Sequence, residues 1–175
     1  MKRLFISVLL VFLVGVVSAQ TQEEIQWISI EEVEAAVAQE PRPVFIDVYT
    51  NWCGWCKRMD KSTFKDPAFV SYINENYYAV KFNGEERDTV NYRGYSFKYV
   101  ASGRRGYNEL AAAFLNNQLS YPTYIVLDKA LNPLQAFKGY RTVEEFLPIV
   151  TFLGEEHYKD TKWDDFMSQW EGKDR

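Results

Sequence analysis

The two cysteines of this chain, Cys53 and Cys56, stand three residues apart, directly after the apolar run Val44-Phe45-Ile46-Asp47-Val48-Tyr49. The run is apolar on both sides of its alternation, so it reads as a strand buried on both faces, in a sheet covered by helices. A strand, a brief turn and a helix opening at the first cysteine put Cys53 at a helix N-terminus. There the unpaired amide N–H groups and the helix dipole favour a thiolate. Cys56 then lies on the same helix face, one turn deeper. This is the geometry of a dithiol whose outer, solvent-facing sulfur attacks a disulfide and whose inner sulfur resolves it.

Three other uses of the pair compete. A structural disulfide stabilises more as the loop it closes grows, and this loop is very short. A tetrahedral zinc site needs four ligands, and the chain adds only one histidine, His157, far away in the sequence. Two inert buried thiols would have no use for the flanking Trp52, Gly54, Trp55 and Lys57. Redox chemistry is the expected use, with no metal and no cofactor beyond the disulfide itself. Asp47, six residues before Cys53, interrupts the strand, and a buried carboxylate is costly without a partner or a task. Either its side chain reaches solvent or a backbone N–H, or it is a buried acid of raised pKa that relays the proton of Cys56.

The compartment matters for such a pair. Lys2 and Arg3, the apolar run Leu4 to Val17, and the small residues Val17-Ser18-Ala19 read as a secretory signal over residues 1–19, cleaved near Ala19. The run is short for a membrane span, the alternative being an uncleaved anchor. No cysteine follows the expected cut to carry a lipid. Removing 19 residues from 175 leaves 156, enough for one domain with a substantial core. Losing Lys2 and Arg3 lowers the 20 basic residues to 18 against 24 acidic, a net charge of −6, with no basic patch that would suit nucleic acid. The expected location is periplasmic or secreted. Disulfides persist there, so the pair is kept oxidised, or is kept reduced only by a dedicated donor.

The remaining pattern supplies a mixed α/β order. Gln26–Ile28 reads as a first strand. Ser29 and Glu32 make a capping box for a helix carrying Ile30, Val33, Ala36 and Val37. The helix opening at Cys53 runs to about Thr63. Asp66-Pro67 caps the next one, with Phe69, Val70 and Ile73 inward. Tyr77–Phe82 reads as a strand. Val90, Tyr92, Tyr95, Phe97 and Tyr99 alternate around Arg93-Gly94, as in a hairpin. Ser102-Gly103-Arg104-Arg105-Gly106 reads as a basic loop, solvated in preference to touching an acidic partner. Tyr107–Leu115 reads as a helix. Tyr121-Pro122 leads into a strand Thr123–Asp128, a place that suits a cis peptide. Leu134–Phe137 follows as an edge strand, Gly139 as a break, and Thr142–Leu153 as a helix. In the tail, Trp163, Phe166, Met167 and Trp170 share one face of an amphipathic helix.

Asp47, the Trp52-Cys53-Gly54-Trp55-Cys56-Lys57 stretch, Tyr121-Pro122-Thr123 at a strand start and Gly139 before the last core helix resemble, in this order, the thioredoxin superfamily. The run Val44–Phe69, with Lys61-Ser62-Thr63-Phe64 and Asp66-Pro67, is most similar to the periplasmic C-terminal domain of DsbD and related exported thioredoxin-like proteins. The resemblance covers about residues 27–153. It implies an α/β, thioredoxin-like fold, a central mixed β-sheet flanked by helices, in a domain spanning 20–154; an inserted β-hairpin (about 83–106) departs from bare thioredoxin, and the C-terminal helical tail (155–175) lies outside the match. It implies Cys53 as the attacking cysteine, Cys56 as the resolving one and Asp47 as the buried acid. Pro122 takes the place of the cis-proline beside the sulfurs, and the backbone of Tyr121 pairs with an extended substrate. Trp52, Gly54 and Trp55 complete the substrate-facing set. Gly54-Trp55 departs from the Gly-Pro of bare thioredoxin.

The expected activity is therefore that of an exported thiol–disulfide oxidoreductase, acting as a reductase of protein disulfides. With no histidine between the cysteines, Cys53 is expected to be less acidic and the couple more reducing, nearer about −270 than about −120 mV. Its expected partners are disulfide-containing or extended proteins and a membrane dithiol donor. The alternative is a peptide-binding or chaperone-like module whose aromatic hairpin and tail hold unfolded chains while the cysteines are incidental.

Overall fold

In the computed structural model, which describes residues 23–173, the strand Val44–Tyr49 is the middle of a five-stranded mixed sheet. The expected export signal, residues 1–19, lies outside the described residues. In chain order the elements are β1 (Trp27–Ile28), α1 (Val33–Gln39), β2 (Val44–Tyr49), α2 (Gly54–Lys61), α3 (Pro67–Asn76) and β3 (Tyr78–Asn83). Four short strands follow: β4 (Val90–Tyr92), β5 (Tyr95–Phe97), β6 (Tyr99–Val100) and β7 (Tyr107–Asn108). The chain then forms α4 (Glu109–Phe114), β8 (Thr123–Leu127), β9 (Pro133–Lys138), α5 (Val143–Gly154) and α6 (Trp163–Lys173). The main sheet runs β1-β3-β2-β8-β9, parallel across β1-β3-β2 and antiparallel across β2-β8-β9.

Strand β2 is buried along both faces, and its alternation sorts the core into two layers. Val44, Ile46 and Val48 pack with Ile30, Val33 and Val37 around α1, and with Leu110 and Ala111 of α4. Phe45 packs on the opposite side with Met59, Phe69, Val70, Ile73, Phe146 and Val150 from α2, α3 and α5. Around Phe45 the rings of Phe64, Phe69, Tyr77, Tyr124 and Phe146 lie with centroids 5.6–6.4 Å away. Each such pair adds about 0.5–1.5 kcal/mol to its area burial, so much of the aromatic content is core. Asp47 lies on this second side, beneath α2.

The helix ends form for local reasons. Ser29 and Glu32 cap reciprocally. Asp66 accepts from the amides of Ala68 and Phe69 ahead of Pro67. Thr142 and Glu145 make a second reciprocal box at the start of α5.

The segment between β3 and α4 holds two ribbons where one hairpin was expected. β4 and β5 pair through Arg93 and Gly94, both at positive φ (51° and 76°), which is the two-residue turn that matches strand twist. Tyr99 leaves this alternation and pairs with Asn108 in the β6–β7 ribbon. Tyr107 is accordingly a strand residue and not the start of a helix. Helix α4 begins one residue after Asn108, whose side chain accepts from the Leu110 amide.

The tail helix α6 docks on α5. Phe166 is buried, with its ring 5.1 Å from Phe152, and Trp163 meets Phe152 edge-on at 5.3 Å. Phe166→Ala is expected to lower unfolding free energy by about 3 kcal/mol in a denaturant titration, the cost of emptying a buried phenyl site. A loss under about 0.5 kcal/mol would mean that the tail adds nothing to the fold. Among the described residues no helix is long and apolar enough to cross a membrane.

Candidate active site

Val48 of β2 pairs with Thr123 of β8, so the loop after β2 and the turn before β8 emerge at the same end of the sheet. The first loop delivers Cys53 as the N-cap of α2. Cys53 and Cys56 form a disulfide with Cα atoms 5.3 Å apart, and Cys53 Sγ accepts the Cys56 amide N–H at 3.1 Å. The second loop delivers Tyr121-Pro122 with a cis peptide bond. Tyr121 meets Trp52, the residue before Cys53, edge-on at 6.0 Å. Trp55, the residue before Cys56, lies 5.6 Å from Tyr140, the residue after the positive-φ Gly139.

The outer sulfur is not the solvent-facing tip that the sequence suggested. Cys53 keeps 4% of its surface and Cys56 2%, whereas Trp52 and Trp55 are 48% and 55% exposed. Cys53 Sγ sits at the first turn of α2, bonded to Cys56 and accepting its amide N–H. The disulfide is thus recessed beneath the surface, with the exposed Trp52, Gly54 and Trp55 as its chain neighbours. No hydrogen bond within the described residues engages the backbone N–H or C=O of Tyr121.

The inserted segment builds the wall behind Trp52. Trp52 Nε1 donates to Glu85 Oε1 at 2.9 Å. Gly84 is pressed so close to Tyr121 that a Cβ there would fall 2.5 Å from the phenol oxygen. Burial, with Glu85 nearby, pushes the Tyr121 phenol up to about 12. The guanidinium of Arg105 lies 4.0 Å above the Trp52 ring. The basic loop, expected to be solvated, therefore reaches the edge of the recess.

Asp47 is fully buried beneath α2, and its Oδ1 has no hydrogen-bond partner. Burial pushes its carboxyl up to about 7; Lys81 opposes the rise and Asp60 adds to it. Lys81 Nζ lies 3.4 Å from Asp47 Oδ2 and pairs with Asp60 Oδ1 at closer range. The ammonium is enclosed by the rings of Trp27, Tyr49 and Phe64 at 5.2–5.6 Å. Sequence reasoning missed Lys81 and Asp60. Lys81 interrupts β3 between buried Val80 and Phe82 and stands opposite Asp47 in the parallel register. Asp60 is four residues after Cys56, on the same helical face. Both signals were present once β2 and β3 were paired in this register. His157 lies in the tail, 3.0 Å from Glu155 and stacked on Phe152.

Comparison with known proteins agrees with this architecture. A thioredoxin-fold protein from Helicobacter pylori superposes with a TM-score of 0.56 at 21% identity, over 75% of this chain and 81% of that one. A thioredoxin from Thermus thermophilus gives 0.56 at 16% identity, over 74% and 87%. In sequence, the chain is 39% identical over 46 residues to the thiol:disulfide interchange protein DsbD of Pectobacterium atrosepticum, 26% of this chain and 8% of that protein. It is 33% identical over 66 residues to the uncharacterized protein B0495.5 of Caenorhabditis elegans, 38% of this chain and 9% of that one. The matches thus span under a tenth of these curated relatives' length. The Thioredox_DsbH family model ("Protein of unknown function, DUF255") matches residues 15–141, most of the chain. With the fold and this match together, the chain belongs to the Thioredox_DsbH family and is a thioredoxin-like, DsbD-like protein.

Proposed function

We propose that the protein is an exported thiol–disulfide oxidoreductase that works as a reductase of protein disulfides. One observation carries the reading: a two-cysteine disulfide caps the first turn of α2 next to Trp52, whose ring meets Tyr121 of the cis Tyr121-Pro122 turn. The resemblance to DsbD, a protein named for thiol:disulfide interchange, supports the same class. Export rests on the N-terminal sequence.

In the reduced protein the Cys53 thiolate attacks one sulfur of a client disulfide. The client S–S bond breaks, a Cys53–client bond forms, and the other client sulfur leaves as a thiolate. Asp47 takes the proton of Cys56, whose sulfur attacks Cys53 Sγ. The mixed disulfide breaks, the second client thiolate leaves, and the Cys53–Cys56 bond forms. Two electrons have passed to the client. Regeneration runs the exchange backwards with an external dithiol, which outside the cytosol implies a donor fed across the membrane. The unengaged backbone of Tyr121 offers one N–H and one C=O to an extended client chain, with Trp52, Gly54, Trp55 and Pro122 around it.

The direction is tested by equilibrating the protein with dithiothreitol redox buffers and reading the thiol state. The expected potential is nearer about −270 than about −120 mV. A value above about −150 mV, with catalysed disulfide formation in a reduced test protein, overturns the reductase direction.

A further inference from the structure

We propose that the rim of the disulfide recess is a docking surface for an acidic polypeptide segment beside the partner's reactive cysteine, held by Arg58, Arg104 and Arg105. The inference rests on the oxidoreductase reading and specifies the partner of that same site.

The charge pattern carries it. The chain has a net charge of −4, and five of the described cations are ion-paired: Arg42 with Glu40, Lys65 with Glu24, Lys81 with Asp60, Lys129 and Lys159 with Glu156. Near the disulfide, cations without an ion pair gather. Lys57, Arg58, Arg87, Arg104 and Arg105 are all exposed, and none makes an ion pair within the described residues. Two of them sit on the indoles that neighbour the cysteines. Arg105 lies on Trp52 at 4.0 Å, and Arg58 lies 5.6 Å from Trp55 and 5.1 Å from Tyr140. Arg58 also hydrogen-bonds the Tyr140 side chain, and the remaining guanidinium N–H groups of Arg58 and Arg105 suit a carboxylate, which a guanidinium matches two-pronged.

Behind Trp52, Arg87, Arg104 and Arg105 line one concavity of about 280 Å³ with Asn51, Glu85 and Glu86. Its two carboxylates already have local duties. Glu85 accepts from Trp52 Nε1, and Glu86 accepts from the amides of Arg87 and Asp88. A polypeptide fits better than a small anion because Arg105 and Arg58 sit on two different indoles, Trp52 and Trp55, and the Tyr121 backbone, whose ring meets Trp52, has an N–H and a C=O to pair with an extended chain. A basic rim on an acidic protein also orients the encounter, over roughly a Debye length of 10 Å at 0.1 M salt.

The test uses the oxidised full chain and three short peptides with serine in place of cysteine, flanked by Glu, by Gln or by Lys. Binding is read by tryptophan fluorescence. At low salt the Glu peptide is expected to bind about tenfold tighter than the Gln peptide, and the Lys peptide more weakly than either. Raising salt to about 0.3 M should remove most of that advantage. Arg104→Gln with Arg105→Gln should cut it to about threefold or less, whereas Arg42→Gln with Lys129→Gln, the same charge loss elsewhere, should leave it. Equal affinities for the three peptides, or an advantage surviving Arg58→Gln with Arg104→Gln and Arg105→Gln, overturn the proposal. So does single-stranded DNA binding more tightly than the Glu peptide. These peptides cannot exchange disulfides, so the result is independent of whether Cys53 turns over, which insulin reduction measures separately.

Discussion

Cys53→Ser is expected to lose catalysed insulin reduction by at least about 10³-fold, down to the rate of dithiothreitol alone, while the fold persists. A hydroxyl cannot form the mixed disulfide, so no alternative nucleophile carries the first exchange. Cys56→Ser is expected to behave differently. Its Cys53 still attacks and releases one client thiolate, but nothing at the helix turn above Asp47 then attacks Cys53 Sγ. Mixed disulfides with clients accumulate, and non-reducing gels with mass spectrometry identify both the clients and the trapped sulfur. Cys53→Ser with unchanged insulin reduction would sink the oxidoreductase reading and leave the peptide-binding module, whose aromatic walls are already present at Trp52 and Trp55.

The difference between the cysteines is legible in the sequence because it is local. Three residues of spacing and a preceding strand decide which sulfur caps α2 and which lies one turn in. Asp47 was legible for the same reason: an acid inside an apolar run either escapes or is held, and here it is held. The two positive-φ residues of the β4–β5 turn, the caps at Asp66 and Thr142, and the stripe of α6 are likewise short-range.

What escaped is long-range. Tyr99 continues the alternation of β5 in sequence, yet its strand partner is Asn108, and period alone cannot choose between two partners. Arg105 looked like part of a solvated loop because its ring partner, Trp52, is 53 residues away. The exposure of Cys53 depends on how the two indoles and the closed disulfide share space, and the residue types do not encode that. Lys81 and Asp60 were invisible until the β2–β3 register put Lys81 opposite Asp47.

That trio makes the second large prediction. In the fold the Asp47 carboxyl titrates near 7, against an ordinary 3.8, because burial penalises its charge more than Lys81 relieves it. Between those two values the native state holds a proton that the unfolded state has released. Stability contributed by this group therefore falls as pH rises through the window, and above about 7 the full penalty is present. Raising this carboxyl from 3.8 to about 7 corresponds to roughly 4 kcal/mol. Asp47→Asn removes the charge, so it is expected to raise unfolding free energy at pH 8 by about 2–4 kcal/mol and to change it little at pH 4. The gain falls short of the full penalty where the amide finds no partner for the position that Oδ1 leaves unsatisfied. The same variant should slow the second exchange by about 10²-fold near neutral pH, because no group then accepts the Cys56 proton. Asp60→Asn should act in the opposite sense on the acid: with its competitor gone, Lys81 turns wholly to Asp47 and the carboxyl titrates lower. Denaturant titrations of wild type and Asp47→Asn from pH 4 to 8 decide the matter. Parallel stability curves would mean that Asp47 is ionised at no cost, and its place as the proton acceptor for Cys56 would fall with them.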